Sequence, residues 1–392
     1  MESSAEGVLN AKVLPPSTPP ARGRLAGLDG IRGLAALFVV LHHCWLMSFS
    51  GFPSDTGPWW LSPLVYGHFA VVVFIVLSGF SLAVSPARND WQVGGLRRFA
   101  RRRAWRILPP YWAALVFSLA IAWTLVPQPG EGVPTGKTVV LYGLLLQDIA
   151  GSPSPNGAFW SIAVEAQLYI VFPLMLLVLR RAGAIVMLGL VTAVVVAIGL
   201  LASGVAVVDA LMRLTPQFAV LFAIGIVAAG VVNRPERRRP APLPWLALLF
   251  ALPVVALIAV RGSAWTVDHF FWIDLAIGPA VGFLLAAVAT GRPSVLVRVL
   301  DTRPIRSLGS FSYSLYLTHA PIVVVLSTMV VSPHMSPGLG KFLVTAALAV
   351  PLSLVVGRLF AAVFEIPFQR HRSWNGLRAA MSARLSRTAT AG

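Results

Sequence analysis

The sequence is poor in charge and almost without cysteine. Of its 392 residues only 11% are Asp, Glu, Lys or Arg, against about 25% in a soluble globular domain, so a soluble class is close to excluded. The single cysteine, Cys44, rules out an intrachain disulfide and any cysteine-based metal site. There is no Walker motif, no dinucleotide fingerprint and no His/carboxylate cluster with metal-ligand spacing, so no metal is expected. No fixed-period repeat of the solenoid kind occurs. No apolar run precedes a cleavage site near the N-terminus, so no signal peptide is expected. Acidic residues are scarce, 14 against 31 basic ones, leaving a net charge of +17. Such an excess fits nucleic acid, an anionic membrane surface or an anionic cofactor, and the positions of the charges decide among them.

What is present is apolar: 57% of the chain. Ten apolar segments, near 31–50, 65–85, 105–126, 158–179, 183–203, 212–232, 244–261, 270–290, 308–331 and 341–364, are each long enough to cross a bilayer core of about 30 Å as a helix. The fold class expected is therefore all-α: a polytopic transmembrane helix bundle of about ten spans. A stretch at 138–149 is too short to cross and reads as a re-entrant or surface helix. Residues 1–27, with Pro15, Pro16, Pro19 and Pro20, read as a disordered cytoplasmic tail. Residues 28–370 read as the membrane domain and 371–392 as a basic cytoplasmic tail. With the N-terminus inside, 25 of the 31 basic residues fall on the cytoplasmic side and only Lys137, Arg213, Arg261 and Lys341 on the other. That is a strong positive-inside bias, so both termini are expected in the cytoplasm. Most of the charge is thus a topology signal, and nucleic acid is not an expected partner.

Ionisable groups are expensive within a bilayer, so each one inside a span is a site candidate: Arg32, His42, His43, Glu165, Asp274, His319 and Glu365. Asp29 reads as the N-cap of the first helix. Arg32 and His43 are eleven residues apart, which on a helix places them within about 20° of one face and roughly 16 Å apart along the axis. A histidine satisfied by a backbone carbonyl is the structural alternative for His43, but the face it shares with Arg32 favours a functional role. Arg103 and Arg106 share a face at i and i+3 in an arginine-rich loop before the third helix. They read as a topology or lipid-headgroup anchor, or as part of a phosphate-binding pocket with Arg32. Ser161, Glu165 and Tyr169 form one stripe at i, i+4 and i+8, following Trp160. Glu165 is placed at the depth of His43, where a carboxylate could orient the imidazole. Ser312, Tyr316 and His319 form another stripe, for which polar contacts between helices are the ordinary explanation. Asp274 and Glu365 carry no usable pattern and read as structural.

The Arg-x10-His pair (Arg32, His43), the Arg-x-x-Arg pair (Arg103, Arg106), the Trp-Ser-x-x-x-Glu block (Trp160, Ser161, Glu165) and the Ser-Tyr-Ser-x-Tyr-Leu-x-His block (Ser312 to His319) occur in this order. Together they resemble the acyltransferase-3 family of bacterial membrane acyltransferases, over about residues 25–370. The resemblance implies ten membrane helices in the bacterial cytoplasmic membrane. It also implies an acyl group, often acetyl, taken from an acyl-coenzyme A co-substrate such as acetyl-coenzyme A. The acceptor would be a hydroxyl of a surface glycan, a lipid-linked sugar or a small molecule such as a macrolide. Arg32, Arg103 and Arg106 would hold the coenzyme A phosphates. His43 would act as general base or carry the acyl group itself. Glu165 would orient His43, and Trp160, Ser161, Tyr169, Ser312, Tyr316 and His319 would line the site. The stand-alone form is expected, without an added extracytoplasmic domain, which leaves room for a separate glycan-assembly partner. Oligomeric state is not legible. The alternative from another class is a transporter of acylated sugars or organic acids that uses the same ionisable residues as a proton relay.

Overall fold

The computed structural model describes residues 25–54, 57–233 and 242–371, with a few positions beyond. The tail expected up to residue 27 thus lies outside the described residues as far as residue 24, as does most of the basic tail after 371. Every regular element among the described residues is helical. The helices are α1 (Leu28–Leu46), α2 (His68–Ala87), α3 (Leu96–Thr124), α4 (Gly136–Gly143), α5 (Trp160–Ala182), α6 (Ala184–Leu201), α7 (Ala206–Met212) and α8 (Gln217–Val232). They continue as α9 (Leu243–Asp268), α10 (Phe270–Ala289), α11 (Ser294–Leu300), α12 (Arg303–Ser310), α13 (Ser312–Val325), α14 (Leu339–Phe360) and α15 (Ile366–His371).

All ten apolar segments lie on these helices. By length and composition, eight helices among the described residues can cross a membrane, or nine if α7 and α8, bent by 51°, count as one span. The remaining segment, α1, has 19 residues, but Asp29, Arg32, His42 and His43 dilute its apolar character.

Several boundaries differ from the sequence expectation. The arginine-rich stretch before residue 105 is not a loop: α3 begins at Leu96, so Arg103 and Arg106 sit within a regular helix. Arginine is a good helix former, and a run of it at a membrane edge can stay helical while its side chains reach water. The 308–331 segment is broken at Phe311, where α12 ends and α13 begins, and α13 continues as a π-helical turn over Leu326–Val331. Asp29 is not the N-cap of α1. Gly27 occupies that position at φ 82°, and Asp29 sits in the first turn, 3.3 Å from Arg32. The short 138–149 stretch overlaps the eight-residue α4, which begins at Gly136 behind a capping box between Thr135 and Thr138.

The order of burial separates the centre of the bundle from its rim. In the α13 span 72% of residues are buried and in α2 67%, against 11% in α6 and 17% in α9. The rim helices expose Ile185 and Val260, as helices facing lipid do. Lipid supplies no hydrophobic drive for helices to associate, so close backbone approach has to hold them. At the α2–α8 crossing a Cβ on Gly79 would lie 2.1 Å from the Phe222 carbonyl, and one on Gly225 2.1 Å from the Val76 carbonyl. The two backbones touch because neither residue has a side chain. This contact fixes α2, whose other face lines the site.

Candidate functional site

A cleft of about 760 Å3, part of it open to solvent, lies between α1, α2, α3, α5 and α13. Arg32, Arg103, Arg106, Glu165, Tyr169, Ser161, Ser312 and Tyr316 all line it, so residues scattered over 285 positions of sequence meet in one space. Arg32 donates to Ser81 Oγ at 3.4 Å and pairs with Asp29. Arg103 lies 5.9 Å over the rings of both Phe99 and Tyr169. Its Nε is buried and has no hydrogen-bond partner among the described residues. A second, more polar cavity adjoins the first and shares Leu82, Arg103 and Arg106 with it, adding Arg102, Gln92 and Gln369. The two arginines of α3 therefore stand where the cavities meet. A buried guanidinium nitrogen without a partner is costly. An anion with several oxygens, such as a phosphate, is the ligand whose chemistry would satisfy it.

Glu165 is placed differently from the expectation. Its Oε1 accepts from Ser78 Oγ at 2.6 Å and from Tyr169 Oη at 2.5 Å, and it makes no hydrogen bond to His43. The carboxylate faces the arginine cleft and does not orient the imidazole directly. Trp160, expected at the site, lines neither cavity and stacks at 5.9 Å on His68.

The partner of His43 is His319. His319 Nε2 lies 3.3 Å from His43 Nδ1, and the rings are 4.8 Å apart in a T-shaped arrangement. Their tautomers follow from the carbonyls around them, because a carbonyl can only accept. His319 Nδ1 is 2.8 Å from the Tyr316 carbonyl, so it carries the proton and its Nε2 is an acceptor. His43 Nδ1 lies 2.9 Å from the Val39 carbonyl and faces that acceptor, so it too carries its proton. The lone pair of His43 is left on Nε2. His43 does not line the arginine cleft. The cleft ends at Ser161 and Tyr316, whose hydroxyls share a 2.6 Å hydrogen bond, and Tyr316 is 5.8 Å from the His319 ring. The hydroxyl pair thus stands at the edge of the cleft toward His319.

Sequence reasoning missed Ser78, Ser81, Tyr313 and His68. The first two sit in the apolar run of α2 three residues apart, a spacing that would have revealed a polar face. His68 donates from Nε2 to the fully buried Asp274 at 2.8 Å, and Gln217 donates to the same carboxylate at 3.3 Å. This network ties α2, α8 and α10 together, in keeping with a structural Asp274. Glu365 is structural in a similar way: it accepts from Ser314 N and Oγ at the start of α13 and from Gln369.

The segment between α3 and α5 folds over the histidine end of the bundle. Tyr111 Oη donates to the Tyr142 carbonyl at 2.8 Å, and Gln147 Nε2 to the Phe159 carbonyl at 3.1 Å. Within it, burial raises the Asp148 carboxyl from an ordinary 3.8 to about 6, opposed by a hydrogen bond from Gln167. A carboxyl held more easily protonated in the fold than in the unfolded chain contributes stability below its unfolded value. That contribution is lost as pH rises through the folded value. Thermal midpoints in detergent should therefore fall between about pH 4 and 6 in the native protein, and fall less in Asp148→Asn. Equal slopes in the two proteins would mean that this carboxyl does not set the pH response.

A family model described as an acyltransferase domain matches residues 25–358. The chain is similar to the acyltransferase MdmB of Streptomyces mycarofaciens, with 28% identity over 90% of this chain and 93% of the relative. It is also similar to the peptidoglycan O-acetyltransferase OatA of Listeria monocytogenes, with 23% identity over 91% of this chain and 57% of the relative. A third relative is the O-acetyltransferase OatA of Staphylococcus aureus, with 22% identity over 78% of this chain and 51% of the relative. The chain spans about half the length of the two OatA relatives. No solved structure matches it.

Proposed function

The chain belongs to the acyltransferase-3 family, and from that premise we propose that it is an integral membrane O-acyltransferase drawing acyl groups, acetyl first among them, from acyl-coenzyme A. The acceptor is a hydroxyl of a surface glycan, a lipid-linked sugar or a small molecule such as a macrolide. The observation that carries the reading is the buried, unpartnered Nε of Arg103 at the junction of two cavities, beside Arg32 and Arg106. These three guanidinium groups hold the phosphates of the donor, by bidentate and charge-assisted hydrogen bonds. When bound, the donor supplies an activated acyl thioester.

The remaining work falls to the chain's own groups. His43 keeps its Nδ1 proton on the Val39 carbonyl and His319, which fixes the ring and leaves Nε2 to take a proton from the acceptor hydroxyl. The hydroxyls of Ser161 and Tyr316 stand between cleft and imidazole, where they donate to developing negative charge. Glu165, with Ser78 and Tyr169, keeps the arginine cleft polar and sets the balance of charge around the guanidinium groups.

The topology we assign is ten crossings of a bacterial cytoplasmic membrane with both termini inside, and a domain over residues 28–370. Support comes from the 25 of 31 basic residues that fall on one side. The test is reconstitution of the full chain in vesicles with radiolabelled acetyl-coenzyme A. Release of coenzyme A coupled to labelling of a hydroxyl acceptor is the expected result. Flux of an acylated solute with no loss of thioester would identify a carrier instead.

A further inference from the structure

Helix α2 runs along the cleft and meets a different partner at each level. Ser81 Oγ accepts from Arg32 at 3.4 Å, Ser78 Oγ donates to Glu165 at 2.6 Å, and Phe74 meets Tyr316 edge to face with ring centroids 5.5 Å apart. From Ser81 to Phe74 the helix rises about 10 Å. Val71, Phe74, Ser78 and Leu82 follow at three- and four-residue steps, so they share one helical face, and all four line the cleft. Beyond Ser78, away from Arg32, α2 lines the cleft only with Leu77, Ile75, Phe74 and Val71, and α5 adds Ile162 beside Ser161. The cleft thus passes from guanidinium groups, past a carboxylate, to an apolar end that holds the hydroxyls of Ser161 and Tyr316. Phe74 is the largest wholly apolar side chain in the lining. Its ring is held in place. Tyr316 is fixed by the 2.6 Å hydrogen bond to Ser161, and Phe74 also packs against two buried clusters, one containing Ala70 and Leu317, the other Val40 and Leu315.

We propose that this apolar end is the acyl pocket, and that Phe74 sets the length of the acyl group it admits and closes it against long chains. The inference rests on the acyltransferase reading above and adds to it a pocket, a donor class of short-chain acyl thioesters and a specificity-determining residue. The thioester carbonyl lies beside the Ser161 and Tyr316 hydroxyls. The alkyl part of the acyl group rests on Val71, Phe74, Ile75 and Ile162, which take its apolar surface out of water. A longer chain has to displace the Phe74 ring. That ring is wedged between Tyr316 and two packed clusters, and an interior packed at native density does not yield to added methylenes without cost. A smaller side chain at position 74 leaves room for them.

The test is binding, which needs no acceptor. The full chain in lipid nanodiscs is titrated with coenzyme A and with acetyl-, butyryl- and hexanoyl-coenzyme A, empty nanodiscs correcting for partition into lipid. Native protein, Phe74→Leu and Phe74→Ala are compared. In the native protein hexanoyl-coenzyme A should bind about 10-fold or more below acetyl-coenzyme A, and in Phe74→Ala the hexanoyl-to-acetyl affinity ratio should rise about 10–10²-fold, the scale on which apolar pockets discriminate methylenes. Phe74→Leu should fall between the two, and it keeps an apolar side chain in place where Phe74→Ala fails to fold. Coenzyme A itself should bind the variants as it binds the native protein. A native protein that binds the hexanoyl and acetyl thioesters equally overturns the acyl pocket alone, and so does an unchanged ratio in a folded Phe74 variant. Loss of coenzyme A binding in both variants would make Phe74 a structural residue and overturns its role in chain length. A native protein that binds none of the four overturns the donor reading beneath the proposal.

Discussion

Replacing His43 with alanine is expected to lower acyl transfer by about 10²–10⁴-fold, the range a positioned general base contributes. The reason lies in the hydrogen bonds of the ring. Val39 and His319 hold the Nδ1 proton, so the basic lone pair is aimed away from both, toward Gly157. His43→Gln keeps most of the volume and a hydrogen-bonding amide but supplies no base, and should lose nearly as much. His319→Gln should lose less, because His319 positions the ring and does not touch the reacting groups. The measurement is kcat with saturating acetyl-coenzyme A, alongside thermal midpoint and coenzyme A affinity. A folded His43→Gln protein that binds coenzyme A and turns over at the native rate would remove the assignment.

The second large effect belongs to Arg103. Its Nε is buried without a partner, and its guanidinium lies against the faces of Phe99 and Tyr169. A charge-assisted hydrogen bond lost to a phosphate costs about 1.5–3 kcal/mol, so Arg103→Ala should raise KM for acyl-coenzyme A by about 10–10²-fold with kcat much less affected. Arg103→Lys should recover only part, since an ammonium cannot make the bidentate contact or stack on the rings. Arg103→Glu should be worst, adding a carboxylate beside Glu165. A KM that does not move in Arg103→Ala would show that the phosphates are held elsewhere.

Much of this was legible in the chain. A bilayer demands apolar runs of fixed length, and each of the ten runs found lies on a helix. Helical periodicity also brought Ser161, Glu165 and Tyr169, and separately Ser312 and Tyr316, to one cleft, as stripes at i, i+4 and i+8 should. What periodicity cannot give is the partner across the interface. It placed Glu165 at the depth of His43, but depth does not fix azimuth, and the carboxylate turned to Ser78 and Tyr169. His319 was recognised as polar but not as the neighbour of His43, because they are 276 residues apart and only packing joins them. The break at Phe311 was hidden for a different reason: Gly309, two positions before it, stays within helix α12, and the chain turns at Phe311 itself. His68 was overlooked because it stands at a helix start, where a polar residue needs no explanation.

The most direct measurement sets binding against turnover. Coenzyme A affinity and acetyl transfer are determined side by side for the native protein, Arg103→Glu and His43→Gln. The expected result is that Arg103→Glu loses both affinity and transfer, while His43→Gln loses transfer and keeps native affinity. Native transfer in His43→Gln, or native affinity in Arg103→Glu, would contradict a donor held at the arginine end and handled at the histidine end.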